Sequence, residues 1–329
     1  MPLADTLLLT RSDVAELLDL DTCITAVEEA FRLHGEGGTT TGVLGIHVPG
    51  GGFHIKAGTL RLSRPYFAAK TNANFPNNPS AGLPTIQGVI VLADAEVGSP
   101  LALLDSMEIT TLRTGAASAV AAKYLARADA RTVGLIGCGN QGWVQLRALR
   151  RVRPLTGARV YDRDRRRAEE LARILAPELG LTIEVASDPA AAARERDIVV
   201  TCTSAREPIL DAGDVAPGTF VAAVGADNPE KQEIAPALMA ASRVVVDVLD
   251  QAATMGDLHH AIAAGVMSRD DVAAELGQIV AGHRPGRQAP GETIIFDSTG
   301  MALQDVAAAA VVYERAQAAG RGISVQLAS

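Results

Sequence analysis

The sequence predicts an α/β protein in two parts: a doubly wound parallel sheet in the second half of the chain and a smaller α+β domain ahead of it. Three observations carry this. The apolar run Val133, Gly134, Leu135, Ile136 leads into Gly137, Cys138, Gly139, Asn140, Gln141 and Gly142, which reads as a strand, a tight glycine turn and the start of a helix. From residue 131 onward, short β-type runs alternate with helical ones, the pattern of a parallel sheet covered on both faces. The glycine turn falls in the middle of 329 residues, so a separate body precedes it; a chain this long is expected to form two domains without disulfides or metals.

Taken in order, residues 12–34 read as two short helices. Ser12 is the candidate cap of the first, where Val14, Leu17 and Leu18 repeat at helical spacing. Ile24, Val27, Ala30 and Phe31 mark the second, which the glycines at 35–38 end. Strands are expected at 43–48, 53–58, 66–73, 88–93 and 101–104, the last two joined by a turn over 94–98. Residues 72–84, rich in Asn, Pro and Gly, form an ordered loop or a lid. Residues 107–128 read as one alanine-rich helix feeding the glycine turn. Strands follow at 132–136, 158–161, 181–185, 197–202, 219–224, 243–246 and 293–296, with helices between them. A last helix, 301–318, is expected to return to the first domain. The domains are therefore 1–118 with 301–329, and 119–300.

A net charge of −8 argues against nucleic acid or an anionic membrane as main partners, and no apolar run reaches the length of a membrane span. The three cysteines, Cys23, Cys138 and Cys202, form no CxxC pair, and such sparse use suits a reducing compartment. Charges at Asp5, Arg11 and Asp13 around a short leucine run do not fit a signal peptide, so a cytoplasmic protein is expected. There is no HExxH, P-loop, Ser-His-Asp order or metal-ligand spacing, and no metal is expected.

The glycine turn has a mechanical reading. Gly137 permits the turn, Gly139 lets backbone approach a pyrophosphate, Gly142 lets the helix pack on its strand, and the helix start presents free N–H groups to phosphate. Asp162 ends the next strand 162 − 137 = 25 positions on, near the spacing of about 20 for a ribose-binding acid. It favours NAD; Arg163 beside it can pair a phosphate and keeps NADP open. Cofactors of such sheets sit at the carboxyl ends of strands, which draws in Thr203 and Ser204, then Val224, Gly225 and Ala226. Asp227 follows beside the expected nicotinamide position, as an acid/base or, with Asn228, as the cap of a helix opened by Pro229. Lys70 lies mid-strand among small residues, either a solvent-facing lysine or an anion anchor. Arg113 lies near the start of the long helix, where an anion would explain a cation best. Alternation puts His54 on the face of Lys56, opposite Phe53 and Ile55, with solvent as the plain alternative.

Five segments together resemble the ornithine cyclodeaminase/mu-crystallin superfamily over about residues 40–318. They are Gly82, Leu83, Pro84, Thr85; then Leu112, Arg113, Thr114, Gly115, Ala116, Ala117; the glycine turn; Val224, Gly225, Ala226, Asp227 with Lys231; and Phe296, Asp297, Ser298, Thr299, Gly300. The resemblance implies a Rossmann-type domain at 119–300 and a substrate-binding, dimerising domain in the remainder, with the active site in the cleft between them. It implies that Lys70 and Arg113 hold a substrate carboxylate, with Lys70 and Asp227 as the catalytic residues and Asp227 the acid/base. Thr85, Arg113, Thr114, Gly139, Asn140, Gln141, Asp162, Thr203, Val224, Lys231 and Ser298 fall around the dinucleotide, and Thr299 with His54 by the substrate. Two departures stand out. An arginine that cyclodeaminases use on the carboxylate is missing from residues 39–45, leaving either a clamp re-sited on Arg61 or Arg64 or a substrate with a smaller or absent carboxylate, and His54 occupies the slot of a glutamate that binds an amine. An imidazole does not hold an ammonium as a carboxylate does.

The expected activity is therefore hydride transfer between a carbon bearing nitrogen and NAD, as an imine (ketimine) reductase or an alanine-type amino-acid dehydrogenase, on a small amino acid, keto acid or imine, in a homodimer. A cyclodeaminase and a non-catalytic, mu-crystallin-like ligand carrier are the alternatives.

Overall fold

The computed structural model describes residues 5–327. It divides into one unit comprising the chain up to Arg113 together with everything from Met301 onward, and a second unit, Thr114–Gly300. The division falls within the helix Ser106–Leu125.

In the first unit two helices open the fold. Arg11–Leu17 is capped by Thr10, which forms a reciprocal capping box with Asp13; the cap is Thr10 rather than Ser12, which sits inside the helix. Asp19 caps Leu20–Glu36, and Gly37, at φ 86°, ends it. The seven-stranded sheet runs in the order Ile323–Val325, Thr6–Leu9, Pro100–Asp105, Ile86–Asp94, Pro65–Asn74, Gly51–Arg61, Thr40–Val48. Thr6–Leu9 pairs parallel with Pro100–Asp105, and the other ladders are antiparallel. The first two strands in that order were not expected, because three or four residues are too few to display a period. The segment 72–84 turns through a single short helical turn, Asn78–Ala81.

The two faces of this sheet differ. Gly58, Leu60, Tyr66, Ala68, Ile90 and Leu92 share one face, over which the helix Ala302–Ala319 lies: a Cβ on Gly58 would come within 3.0 Å of Leu303. The opposite face carries Leu44, Ile46, Phe53, Ile55, Val89 and Val91, and most of these stay open, Leu44 at 54% exposure and Val89 at 43%. The sequence had not revealed this patch.

The second unit is an eight-stranded, wholly parallel sheet in the order Ala274–Glu275, Arg243–Val246, Ile294–Asp297, Phe220–Ala223, Ile198–Thr201, Thr132–Ile136, Gly157–Tyr161, Thr182–Val185. The expected α/β class is borne out. Ile198–Thr201, Phe220–Ala223 and Ile294–Asp297 are buried along their whole length, as central parallel strands must be. The winding reverses direction between Thr132–Ile136 and Ile198–Thr201, the switch point at which such sheets bind ligands. A small parallel pair, Arg206–Leu210 with Gln232–Ile234, lies outside this sheet and was not foreseen.

Candidate active site

At the switch point the glycine turn takes the form its residues require. Gly137 adopts φ 106°, and a Cβ there would lie 2.7 Å from the carbonyl oxygen of Cys202. A Cβ on Gly142 would lie 2.3 Å from the Gly137 carbonyl, so helix and strand meet only through glycine. Gly139 behaves differently: a Cβ there would meet nothing within 4 Å. Open space thus faces the backbone where Asn140–Val152 begins, and Gly139 as N-cap offers no side chain to occupy the leading N–H groups. Asp162 is fixed beside this turn, one carboxylate oxygen taking the N–H of Cys138 and the other that of Asp164, each at 2.8 Å. Each oxygen keeps a lone pair for a ribose hydroxyl. These residues fit a dinucleotide: a pyrophosphate at the open helix start and a ribose at Asp162. Arg163 and Asn140 are exposed, and Gln141 is half-buried.

The strand-end loops beside the turn are tied by residues the sequence did not single out. Glu233, fully buried, accepts the N–H of Thr203 at 2.6 Å with one oxygen and that of Gly225 at 2.7 Å with the other. It thereby clamps the loops after Ile198–Thr201 and Phe220–Ala223. A Cβ on Gly225 would fall 2.4 Å from the Glu233 carboxyl carbon, so only glycine admits the contact. Asp257 in turn accepts the N–H of Glu233 and of Ile234, at 2.7 and 2.8 Å, and Asp297 accepts that of Leu258 at 2.8 Å. Burial raises all three carboxyls, Asp257 to about 7, with the Glu233 charge adding to the effect on Asp257. Val224 donates to the Thr201 carbonyl, Ala226 is buried, and Ser204 is exposed. The Thr203 hydroxyl accepts from the N–H of Ala205.

Asp227 lies in the turn after these loops. Its side chain is half exposed and paired with Lys231 at 2.7 Å. No helix starts at Pro229; the chain turns into Gln232–Ile234, so neither Asp227 nor Asn228 is a helix cap. Ser298 donates its N–H to the Ala223 carbonyl. The Thr299 hydroxyl is engaged twice inside the unit, donating to Asp247 and accepting from Gln251, both at 2.8 Å. Thr114 is buried and offers its carbonyl to Gln145 at 3.4 Å.

In the first unit, Lys70 and Arg113 come together on an acid absent from the sequence reading. Lys70 Nζ lies 2.7 Å from Asp305, and Arg113 Nε lies 3.2 Å from it, all three nearly sealed from solvent. Arg113 Nη1 also donates to Gln304 at 3.0 Å. Lys70 is therefore not a solvent-facing lysine, and Arg113 is not solvent-facing either. Nor does it oppose the helix dipole, since it sits two turns into Ser106–Leu125. Burial pulls the Lys70 ammonium down to about 7; Asp305 resists this, and Arg113 and Lys56 add to it. Burial works to raise the Asp305 carboxyl, but Lys70 and Arg113 outweigh it and bring it down. His54 is half-buried on the Lys56 face rather than turned to open solvent, between Gly45 and Asn72 in the ladders. Thr85 lends its carbonyl to the N–H of Phe75 at 2.8 Å. Arg64 pairs with Asp94, and Arg61 stands 4.0 Å from Glu96 at the surface. Among the described residues no cluster of three or more His, Cys, Asp or Glu could hold a metal ion, and no helix is long and apolar enough to cross a membrane.

Comparison with known proteins agrees with this geometry. A family model described as ornithine cyclodeaminase/mu-crystallin family matches residues 4–320. The chain is 39% identical over 326 residues to an alanine dehydrogenase of Archaeoglobus fulgidus, covering 98% of each. Among solved structures, an archaeal alanine dehydrogenase dimer with bound NAD superposes with a TM-score of 0.94 at 38% identity, covering 98% of this chain and 99% of that one. A Thermococcus litoralis Delta(1)-pyrroline-2-carboxylate reductase in complex with NADH and L-proline gives 0.93 at 34% identity, covering 97% and 100%.

Proposed function

The chain belongs to the ornithine cyclodeaminase/mu-crystallin family, and on that premise we propose that it is an NAD-dependent oxidoreductase of carbon–nitrogen bonds, an imine reductase or an alanine-type amino-acid dehydrogenase. The observation that carries this reading is the buried trio Lys70, Asp305 and Arg113. Two cations share one internal acid and keep N–H donors to spare, the arrangement a substrate carboxylate needs. A nicotinamide, when bound, would give or take the hydride. Lys70 and Arg113 hold and orient the acid group of the substrate. Asp227 moves a proton to or from the substrate nitrogen or an attacking water, with Lys231 holding its carboxylate in place. Asp162, held beside the glycine turn, receives ribose hydroxyls and repels a 2′-phosphate, which favours NAD over NADP. A cyclodeaminase is disfavoured because His54, Lys56 and Lys70 share one face, and that face repels the second ammonium of a diamino acid. The functional molecule is a homodimer: the open face of Leu44, Ile46, Phe53, Val89 and Val91 is an apolar surface that a second copy would cover, and the archaeal alanine dehydrogenase is itself a dimer.

The test is oxidation of NADH with pyruvate or glyoxylate plus ammonia or methylamine, and with cyclic imino acids. Turnover is expected, and Asp227→Ala should lower kcat by about 10²- to 10⁴-fold with NADH affinity kept. Full activity of that variant would overturn the role given to Asp227. Ligand binding without turnover of any imine would favour a carrier, and proline formed from ornithine without net cofactor use would favour a cyclodeaminase.

A further inference from the structure

Lys56 is a buried cation that the reaction as described does not use. It lies in Gly51–Arg61 directly across from Lys70 in the ladder to Pro65–Asn74, so the two side chains leave the same face of the sheet side by side. Lys56 is 8% exposed and Lys70 3%. Lysines opposed in this way repel one another, and neighbouring side chains are only about 5 Å apart at Cβ. Lys56 also acts electrostatically on Asp305, the acid shared by Lys70 and Arg113. Three cations thus converge around one carboxylate in a region nearly closed to water. An ammonium has three donors, so the Lys70 contact with Asp305 leaves donors on that group for a second anion, and Arg113 retains others beyond those it directs to Asp305 and Gln304.

The arginines that might replace the one missing from residues 39–45 are elsewhere. Arg61 sits opposite Pro65, five residues along the strand from Lys56, a distance of about 16 Å at the usual rise per residue. Arg64 is engaged with Asp94 beyond it. Lys56 alone adds a cation on the Lys70 face at the Lys70 position.

We propose that Lys56 takes the place of that arginine and forms, with Lys70 and Arg113, a three-cation grip on the carboxylate of a small 2-oxo or 2-imino acid. This rests on the reading of the chain as a carbon–nitrogen oxidoreductase and narrows it: the substrate is an acid, and neutral imines are excluded. Asp305 is the fixed counter-ion that holds Lys70 and Arg113 in place when no substrate is present.

Lys56→Met, which keeps the length and apolar stem, and Lys56→Arg, which keeps the charge, test this. With cyclic imino acids, Lys56→Met should raise KM by about 10-fold or more, the loss expected for one charge-assisted hydrogen bond, while kcat and NADH affinity hold and Lys56→Arg recovers most of the loss. Independently of turnover, calorimetric titration of the NADH-loaded protein with a series of 2-oxo acids and their amides should show weaker acid binding in Lys56→Met and unchanged amide binding. Equal effects on acid and amide, no effect on either, or a wild-type protein that binds no acid better than its amide would each overturn the grip. Selective loss of acid binding in a protein that turns over no imine would uphold the grip and remove the oxidoreductase reading instead.

Discussion

Glu233→Gln probes how the cofactor loops are held. The wild-type carboxylate accepts two backbone N–H groups, from Thr203 and Gly225, at 2.6 and 2.7 Å. A glutamine of the same shape keeps one acceptor oxygen and turns an NH2 toward the other N–H, so one charge-assisted bond is lost and two donors face each other. One such bond is worth about 1.5–3 kcal/mol and a stranded buried donor costs about 1–3 kcal/mol, so about 2.5–6 kcal/mol is at stake. For a unit of this size each kcal/mol lowers Tm by about 2–4 °C, which gives a fall of about 5–24 °C. Because the loops thus released carry Thr203, Val224 and Gly225, the NADH Kd should rise by about 10-fold if binding must spend about 1.4 kcal/mol on re-ordering them. Calorimetric melting and titration of NADH fluorescence read the two quantities. Burial pushes the Glu233 carboxyl upward while the N–H groups of Thr203 and Gly225 pull it down. If the upward push wins so far that the group is protonated at neutral pH, Glu233→Gln will match wild type in both Tm and Kd, and that result would refute the clamp as a charged one.

Two further outcomes are open to measurement. Ile46→Asp with Val89→Asp, both on the open sheet face, should convert the proposed dimer to a folded monomer, read by light scattering and by an unchanged far-UV spectrum; a variant that stays dimeric places the interface elsewhere. For Asp257, burial first and Glu233 second raise the carboxyl to about 7, against about 4 in an unfolded chain. The folded state therefore binds the extra proton across that window, and wild-type stability falls as pH rises from about 4 through about 7. Asp257→Asn, which keeps the oxygen that accepts from Glu233 and Ile234, lacks this loss. Its urea midpoint should gain on wild type between pH 5 and pH 8, and a constant difference across that range would show that Asp257 does not titrate there.

Much of the fold and part of the site were legible because they are local. The glycine turn places each requirement within six residues, and Asp162 closes the next strand, so sequence spacing alone reports the geometry. The groups that were missed act over distance. Asp305 meets Lys70 across 305 − 70 = 235 positions of chain, and Glu233 reaches back to a loop 233 − 203 = 30 residues earlier. Neither has a neighbouring motif that could announce it. The unforeseen strands, Thr6–Leu9, Arg206–Leu210, Gln232–Ile234, Ala274–Glu275 and Ile323–Val325, are two to five residues long, too short for an alternation to be distinguished from chance. Thr10 was passed over as a cap because Ser12 stood nearer the first apolar position, and only the reciprocal bond with Asp13 separates the two.

The sheet of the first unit shows where alternation stops being informative. Period two correctly says that His54 and Lys56 share one face and Phe53 and Ile55 the other. It does not say which face is covered, and here both faces carry apolar residues. The helix Ala302–Ala319 lies over the face that bears Lys56 and Lys70 among Leu60, Tyr66, Ile90 and Leu92, and the face of Leu44, Ile46 and Val89 is left open. Burying two lysines is strongly unfavourable unless they are paired. The covering helix itself supplies the acid: Asp305 is in its first turn, where a carboxylate is also favoured by the helix dipole. The same helix that seals the lysines from water therefore makes sealing them tolerable, and it brings Asp305 and Gln304 onto Arg113 at the same time. That makes Asp305→Asn a sharper disruption than loss of any single cation, since it would leave Lys70 and Arg113 buried against each other, at a cost of about 3–5 kcal/mol.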